Sequence, residues 1–186
     1  MSNIDEHKLV PARDFKFCPW CGERLGIKDL DGQERSACPA CEFIWYKNPI
    51  PAAGAIIMQD NRLLLVKRKY PPGVDDWCIP AGFMEYNESP VECCKREIKE
   101  ETGLNIEIDK LFWNYRAGDD PRSTVVLILY LANIVDGRLV PGDDAVETRY
   151  FSLDNLPPNI AFSAHRRAIK DLIVYMERGK MPGDDD

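Results

Sequence analysis

One stretch of the chain decides how the rest is interpreted: residues 82–104 read GFMEYNESPVECCKREIKEETGL. Within it, Val91, Cys94 and Ile98 recur at the i, i+3 and i+7 spacing of a single helix face. A serine followed by a proline stands where a helix would begin, and a glycine stands where it would end. The sequence therefore predicts a helix over 89–102 that packs one apolar face against a core.

The same helix carries a cluster of carboxylates beside its apolar face. Glu97 and Glu101 lie one turn apart, and Glu100 sits beside them. Like charges at this spacing destabilise a helix by a few tenths of a kcal/mol, so the cluster needs a counter-charge. Two interpretations stay open: a solvated face paired with neighbouring lysines and arginines, or a set of oxygen ligands for a hard divalent cation.

Composition limits the class of protein. The chain has 186 residues and a net charge of −7, which fits one domain plus a small appendage. An acidic balance argues against binding duplex nucleic acid as the main task. No apolar run approaches the ~18 residues of a membrane span, and the start lacks the apolar core of a secretory signal. We expect a cytoplasmic protein with neither a membrane nor a nucleic-acid partner.

Four of the seven cysteines form two C-x-x-C pairs, Cys18 with Cys21 and Cys38 with Cys41. This doubled spacing predicts tetrahedral zinc ligation. Four thiolates leave no open coordination position, so the site would be structural. Two disulfides or one redox pair are the alternatives, disfavoured because no secretory signal is evident. We expect this zinc ribbon to serve stability or dimerisation, because its segment is not markedly basic.

The chain divides into four regions. We assign a tail to 1–16, the zinc ribbon to 17–49, the main domain to 50–180 and a disordered acidic tail to 181–186. In the main domain, apolar runs separated by turn residues predict strands, and a second amphipathic stretch predicts a helix. The strands are predicted over 51–58, 62–66, 77–80, 105–115, 123–134 and 149–152, and the second helix over 165–178.

The spacing of fixed residues around the first helix resembles the signature of the Nudix hydrolases. The matching positions, with an aliphatic residue after Glu97 and after Gly103, are Gly82, Glu88, Arg96, Glu97, Glu100, Glu101 and Gly103. The resemblance covers 50–180 and implies an α/β fold, an α/β/α sandwich around a mixed sheet. It also implies hydrolysis of a nucleoside diphosphate linked to another group, a small-molecule nucleotide substrate.

The resemblance implies roles for individual residues. Mg²⁺ or Mn²⁺ would be held by Glu97, Glu100, Glu101 and the carbonyl of Ala81. Three further residues would brace the loop before the helix: Gly82, Glu88 and Arg96.

The general base is less well defined. In the family that the chain resembles, this base is often a glutamate outside the helix, or the first glutamate of the pair one turn apart, here Glu97. Asp144 and Glu147, in the acidic loop before the last strand, are the candidates. An ordinary acidic loop without a catalytic role is the alternative.

A zinc ribbon followed by a Nudix signature is similar to two groups, the NADH pyrophosphatases and the FAD or ADP-ribose pyrophosphatases. The NADH group carries a Ser-Gln-Pro-Trp-Pro-Phe-Pro segment, whereas residues 115–123 here read YRAGDDPRS. Pro121 lies close to where ADP-ribose specialists often carry a proline. The resemblance favours ADP-ribose or FAD, with release of AMP. An NADH or NAD pyrophosphatase, or a nucleotide-sensing regulator that binds through its ribbon, remains the alternative.

Recognition of adenine or flavin requires flat apolar faces. The candidates for stacking are Phe112, Trp113, Tyr115 and Phe162, and the candidates for holding a phosphate are Arg116 and Arg122. For each, an ordinary core aromatic or surface arginine is the alternative. By the same resemblance we expect a homodimer.

Overall fold

In the computed structural model of this protein, residues 14–142 and 144–184 are described. Their helices and strands, in chain order, are β1 (Gly26–Leu30), β2 (Gln33–Ala37), β3 (Ile44–Trp45), β4 (Ile50–Gln59), β5 (Arg62–Arg68), β6 (Trp77–Cys78), β7 (Ala81–Phe83), α1 (Pro90–Thr102), β8 (Leu104–Ala117), β9 (Val125–Gly137), β10 (Ala145–Ser152) and α2 (Ser163–Arg178). Every strand and helix predicted for 50–180 is present. The structure adds β7 and begins β10 four residues earlier than predicted, where a register shift interrupts the pairing.

The N-terminal part is a three-stranded antiparallel sheet in the order β1-β2-β3. The residues just before it also contact this sheet. Lys47 forms a 2.8 Å ion pair with Asp14, and the rings of Phe15 and Trp45 lie 5.0 Å apart. The region predicted as a tail over 1–16 therefore packs on the ribbon from Asp14 onward, whereas residues 1–13 lie outside the described part of the chain.

The main domain is built on a mixed sheet with the path β10-β5-β4-β9-β8, and β6 and β7 pair with β5 and β4. β4 and β9 run parallel, and the other pairs are antiparallel. The predicted mixed sheet is confirmed.

Alternation along the two central strands sends side chains to both faces of the sheet. Ala53, Ile57 and Leu64 pack on the side of α1, whereas Ile56 and Leu65 pack on the side of α2. Because both faces are covered, the central strands read as continuous apolar runs. The predicted α/β/α sandwich is confirmed.

Helix α1 begins and ends where its sequence predicts. Ser89 is the N-cap and forms a capping box with Glu92, and Pro90 is the first helical residue. Gly103 terminates the helix with a φ of 74°, a left-handed conformation that costs glycine little. Local sequence alone thus fixes both ends of the helix that carries the carboxylates.

The C-terminal segment differs from the predicted disordered tail. The side chain of Met181 packs against the core on the α2 side, and its N–H donates to Asp184 at 2.7 Å. Gly183 lies against the ring of Trp113. Apolar contacts therefore hold this segment, and residues 185–186 lie outside the described part. Across 14–142 and 144–184, no helix combines the length and apolar content that a membrane span needs.

Candidate active site

The carboxylates predicted as metal ligands lie together in an open cleft of about 480 Å³. It is lined by Glu97, Glu100 and Glu101 of α1, and by Gly142 and Asp144 from the connection before β10. Oxygen-only donors of this kind suit a hard divalent cation such as Mg²⁺.

The connection before β10 is pressed onto the last turn of α1. The N–H of Gly142 donates to the carbonyl of Glu101 at 3.0 Å. A side chain at position 142 would place its Cβ 1.7 Å from the carbonyl oxygen of Glu100, so only glycine fits. This close approach brings Asp144 to the edge of the cleft.

Strand β7 contacts two of the glutamates that line the cleft, Glu97 and Glu101. The N–H of Ala81 donates to Oε2 of Glu101 at 3.0 Å. At Gly82, an added Cβ would lie 2.1 Å from the carboxyl carbon of Glu97. The strand backbone therefore lies directly against both carboxylates, and a side chain at position 82 would displace the end of the Glu97 side chain.

The carboxylates of Glu97 and Glu101, one helical turn apart, repel each other in a partly desolvated site. Burial, and then the neighbouring Glu97 carboxylate, raise the pKa of Glu101 to about 8. Burial also raises the pKa of Glu97. Like charges in a desolvated site ionise together only with a compensating charge. The donor set and its electrostatics both fit a divalent cation.

Arg96 ties the helix to the loop before it. Its guanidinium donates twice to Glu88, at 2.6 and 3.0 Å, and once to the carbonyl of Phe83 at 3.0 Å. It also contacts Glu97 at 2.7 Å and Glu100 at 3.0 Å. The hydrogen bonds from Arg96 lower the pKa of Glu88 to about 2. One side chain thus orders both the loop and part of the carboxylate cluster.

The two candidate general bases occupy different positions. Asp144 lines the cleft with the helix glutamates. Glu147, by contrast, is an ion-pair partner of Arg149 within β10 and does not line the cleft. Only Asp144 lies within the cleft that would hold the reacting group.

The four N-terminal cysteines form a compact cluster. Their Sγ atoms all lie within 4.8 Å of one another, with pairs at 3.4 and 3.6 Å. Four sulfurs at about 2.3 Å from a tetrahedral zinc ion would be separated by ~3.8 Å. A disulfide would instead require ~2.05 Å. The geometry of these residues fits zinc and does not fit disulfides.

A second, smaller pocket of about 120 Å³ shares strand β7 with the cleft. It is lined by residues from β4, β5, β7, β8, β9, the β8–β9 connection and the start of α2: Ala52, Arg68, Ala81, Gly82, Phe83, Ala117, Asp120, Arg122, Ser123, Val125, Leu127, Phe162 and His165. Phe162 and Arg122, two residues predicted for substrate binding, therefore lie in one pocket.

The other predicted substrate-binding residues do not line this pocket. Phe112 and Tyr115 are buried in the core, and the Tyr115 hydroxyl donates to Asp171 at 2.7 Å. Trp113 lies against the C-terminal segment, and Arg116 is exposed. A register shift between Leu111 and Trp113 breaks the alternation of β8, so the sequence could not indicate which face each aromatic occupies.

Several pocket residues were missed by the sequence analysis. Arg68, at the end of β5, stacks its guanidinium 4.9 Å from the ring centre of Phe162 and donates to the carbonyl of Pro72 at 2.8 Å. Asp120 and His165 also line the pocket. These residues come from distant parts of the chain, and no local pattern links them.

A mixed-sheet sandwich with a carboxylate-bearing helix, preceded by a four-cysteine ribbon, is the arrangement that the comparisons with known proteins identify. A family model described as NUDIX domain matches residues 48–172, and one described as Nudix N-terminal matches 16–47. The chain belongs to the Nudix hydrolases and carries the N-terminal domain that precedes some of them. It is accordingly a Nudix pyrophosphate hydrolase.

Two curated relatives bear on the substrate. The ADP-ribose pyrophosphatase of Methanocaldococcus jannaschii is 42% identical over 131 residues, which are 70% of this chain and 76% of that protein. The NAD-capped RNA hydrolase NudC of Pseudomonas aeruginosa is 33% identical over 174 residues, 90% of this chain and 59% of that protein. This chain therefore spans about three fifths of the length of that NudC relative.

Solved structures agree with the fold. A NUDIX hydrolase from Nitrosomonas europaea superposes with a TM-score of 0.77 at 32% identity, covering 90% of this chain and 95% of that one. The match therefore includes most of the chain.

Proposed function

We propose that this protein hydrolyses the pyrophosphate bond of ADP-ribose or FAD, releases AMP, and requires Mg²⁺ or Mn²⁺. The observation that carries the proposal is the cleft in which Glu97 and Glu101 lie one turn apart against β7. Such a cluster is stabilised by a divalent cation, and a diphosphate is a ligand that shares such a cation.

The ion would be held by Glu97, Glu100, Glu101 and the carbonyl of Ala81. When bound, it supplies charge neutralisation on the diphosphate oxygens and acidifies a water molecule. The protein's own task is positioning, as in phosphoryl transfer generally. Ala81 contributes by fixing the direction of the Glu101 carboxylate through its N–H.

Asp144 is the general base that we favour over Glu147. Its position in the cleft supports a role in accepting the proton of the attacking water. Glu147 is paired with Arg149 on β10, which keeps its carboxylate engaged elsewhere.

Three features support an adenosine diphosphate derivative as the substrate. The Methanocaldococcus jannaschii relative is named an ADP-ribose pyrophosphatase and is 42% identical. Phe162 offers an aromatic wall in the pocket beside the cleft, and Ala52 and Leu127 add apolar surface in the same pocket. ADP-ribose and FAD share the AMP half that such a pocket would recognise.

NAD-type substrates are the second candidate. The Pseudomonas aeruginosa relative, named an NAD-capped RNA hydrolase, aligns over 90% of this chain. The alignment with the ADP-ribose pyrophosphatase covers a smaller share, 70% of this chain. NADH and NAD-capped RNA therefore belong in any substrate comparison.

The test is a substrate panel of ADP-ribose, FAD, NADH and NAD-capped RNA, each with Mg²⁺, Mn²⁺ or EDTA. We expect AMP release from ADP-ribose or FAD at the highest kcat/KM, and none with EDTA. A preference for NADH or capped RNA would overturn the substrate assignment. Hydrolysis that persists in EDTA would overturn the metal requirement.

The ribbon and the assembly complete the proposal. We propose that Cys18, Cys21, Cys38 and Cys41 hold one structural zinc ion and that the chain forms a homodimer. Sedimentation of the zinc-loaded protein tests the second statement, because a monomer at micromolar concentration contradicts it.

A further inference from the structure

His165 is a buried polar side chain that the proposed chemistry does not use. It lies in the first turn of α2, is 6% exposed and lines the pocket beside the cleft. Its Nδ1 accepts a 3.1 Å hydrogen bond from the N–H of Ile79. Because Nδ1 is an acceptor, the proton of the neutral ring resides on Nε2.

The imidazole of His165 is neutral at neutral pH. Burial, and then the positive charge of Arg68, lower the pKa of His165 to about 3. Its Nε2–H is thus a single uncharged donor. Among the described residues, none accepts a hydrogen bond from the Nε2–H of His165. None of their fully buried side-chain nitrogen or oxygen atoms lacks a hydrogen-bond partner, so an unpaired Nε2 cannot be fully buried. Nε2 therefore reaches the open space of the pocket that His165 lines.

The surroundings of this donor favour a flat ring over an anion. Ala52 and Leu127 supply apolar surface, and Phe162 with the stacked Arg68 guanidinium forms a wall. Arg68 is already engaged by the carbonyls of Pro72 and Tyr70. Apolar surface, an aromatic wall and one inward donor suit a heterocycle with a lone pair on its edge.

An ion pair between Arg122 and Asp120 forms the polar side of the pocket. Arg122 donates to both carboxylate oxygens of Asp120, at 2.7 to 3.0 Å. Each charge thus compensates the other. A phosphate would have to displace Asp120 from Arg122, whereas an uncharged ring leaves the pair intact.

We propose that His165 determines base specificity by donating its Nε2–H to a ring nitrogen of adenine bound in this pocket. The inference rests on the proposed function, because β7 lines the pocket and also contacts Glu101 in the cleft. A diphosphate held in the cleft would have its attached nucleoside beside this strand. The hydrogen bond would exist only for a base with an acceptor at the matching position.

The experiment compares ADP-ribose with its 1-deaza-, 3-deaza- and 7-deazaadenine analogues, each of which lacks one ring nitrogen. We expect the wild-type protein to lose roughly 10- to 100-fold in kcat/KM on one analogue, because the His165 donor is then unpaired. Equal rates on all three analogues and on ADP-ribose would overturn the inference, and so would equal losses on all three.

Two substitutions separate specificity from folding. His165→Asn retains an acceptor for the Ile79 N–H but has no donor at the Nε2 position, whereas His165→Gln retains a donor near that position. We expect the Asn variant to lose the discrimination among analogues and the Gln variant to keep part of it. An Asn variant that discriminates like the wild type contradicts the inference. If both variants unfold in a thermal scan, the wild-type analogue series alone decides.

A metal-free measurement distinguishes this inference from the proposed function. Titration calorimetry in EDTA compares AMP with ribose 5-phosphate. We expect tighter binding of AMP, and a smaller difference in the Asn variant. A wild-type protein that cleaves no adenosine diphosphate derivative contradicts the proposed function, and the calorimetry still tests His165. Equal affinity for the two ligands overturns the inference even if ADP-ribose is cleaved.

Discussion

The backbone N–H of Ala81 and the carboxylate of Glu101 are joined by a 3.0 Å hydrogen bond across 20 positions of sequence. This bond couples the short strand β7 to the last turn of α1. Strand β7 therefore orients Glu101, the most deeply buried glutamate of the cleft, and it also lines the neighbouring pocket. The cleft and the pocket share one backbone support.

Replacing Glu101 with glutamine tests the cleft. Glutamine keeps an oxygen that accepts from Ala81 but removes the charge, so we expect activity to fall about 100-fold or more. Stability should stay equal or rise, because the repulsion between Glu97 and Glu101 is relieved. Steady-state kinetics and thermal unfolding measure the two effects.

The matched control is Glu92→Gln on the same helix. Glutamine also completes a capping box at this position, so activity and stability should both be retained. Full activity in the Glu101→Gln variant would contradict the assignment of Glu101 as a metal ligand.

Gly82→Ala tests the close approach of β7 to the carboxylates. The new Cβ would lie 2.1 Å from the carboxyl carbon of Glu97, so the glutamate or the strand must move. Because the nearest atoms are the end of the Glu97 side chain, we expect that carboxylate to be displaced, which reduces activity. The free energy of unfolding should fall only by the lower end of the ~1–3 kcal/mol that overpacked sites lose. Urea denaturation and kinetics provide the measurements.

Gly118→Ala is the comparison for that variant. No atom lies within 4 Å of the Cβ added there, so its stability should match the wild type. If Gly82→Ala were as stable and as active as Gly118→Ala, the tight contact with Glu97 would be refuted.

His165 gives the protein a predicted pH dependence. Its pKa is about 3 in the folded state, against ~6.5 when unfolded, so the unfolded chain binds a proton that the folded chain rejects. The stabilisation is complete above pH ~6.5 and is lost as the pH falls towards 3, by up to ~1.4 kcal/mol per pH unit. Over pH 5 to 6.5 the raised pKa of Glu101, about 8, gives a slope of the opposite sign, so the contribution of His165 is the difference in slope between the wild type and His165→Asn. Urea denaturation across this range should show that the variant loses less stability, or gains more, than the wild type as the pH falls. Parallel slopes in the two proteins would argue against a neutral buried histidine.

Removing zinc ligands tests the ribbon. In a double variant with Cys18→Ser and Cys41→Ser, two of the four clustered sulfurs are lost. We expect loss of about one zinc ion per chain by elemental analysis, and proteolytic sensitivity within 17–47, because structural zinc sites depend on the metal to fold. Hydrolytic activity should persist, since the carboxylate cleft lies entirely in the main domain.

Cys78→Ala serves as the control for zinc content. Cys78 is buried in the main domain, outside the four-cysteine cluster, and its variant should retain full zinc. Undiminished zinc in the double variant would exclude the cluster as the binding site.

The sequence by itself determined the features that depend on local patterns. Helix α1 begins after Ser89 and stops at Gly103 because capping and helical periodicity act within a few residues. The two C-x-x-C pairs predicted a cluster because each tight turn presents two thiolates regardless of the rest of the fold. The spacing of the glutamates likewise follows from helix geometry alone.

Only the tertiary structure decided which of the remaining candidates meet. A shifted register in β8 places Phe112 and Tyr115 in the core, and the contact of Gly142 with α1 brings Asp144 to the cleft. The bond between His165 and Ile79 spans 86 positions of the chain. Such contacts arise from strand pairing and from the packing of both helices on the sheet. These interactions join segments that are far apart in the sequence, so no local periodicity can indicate them.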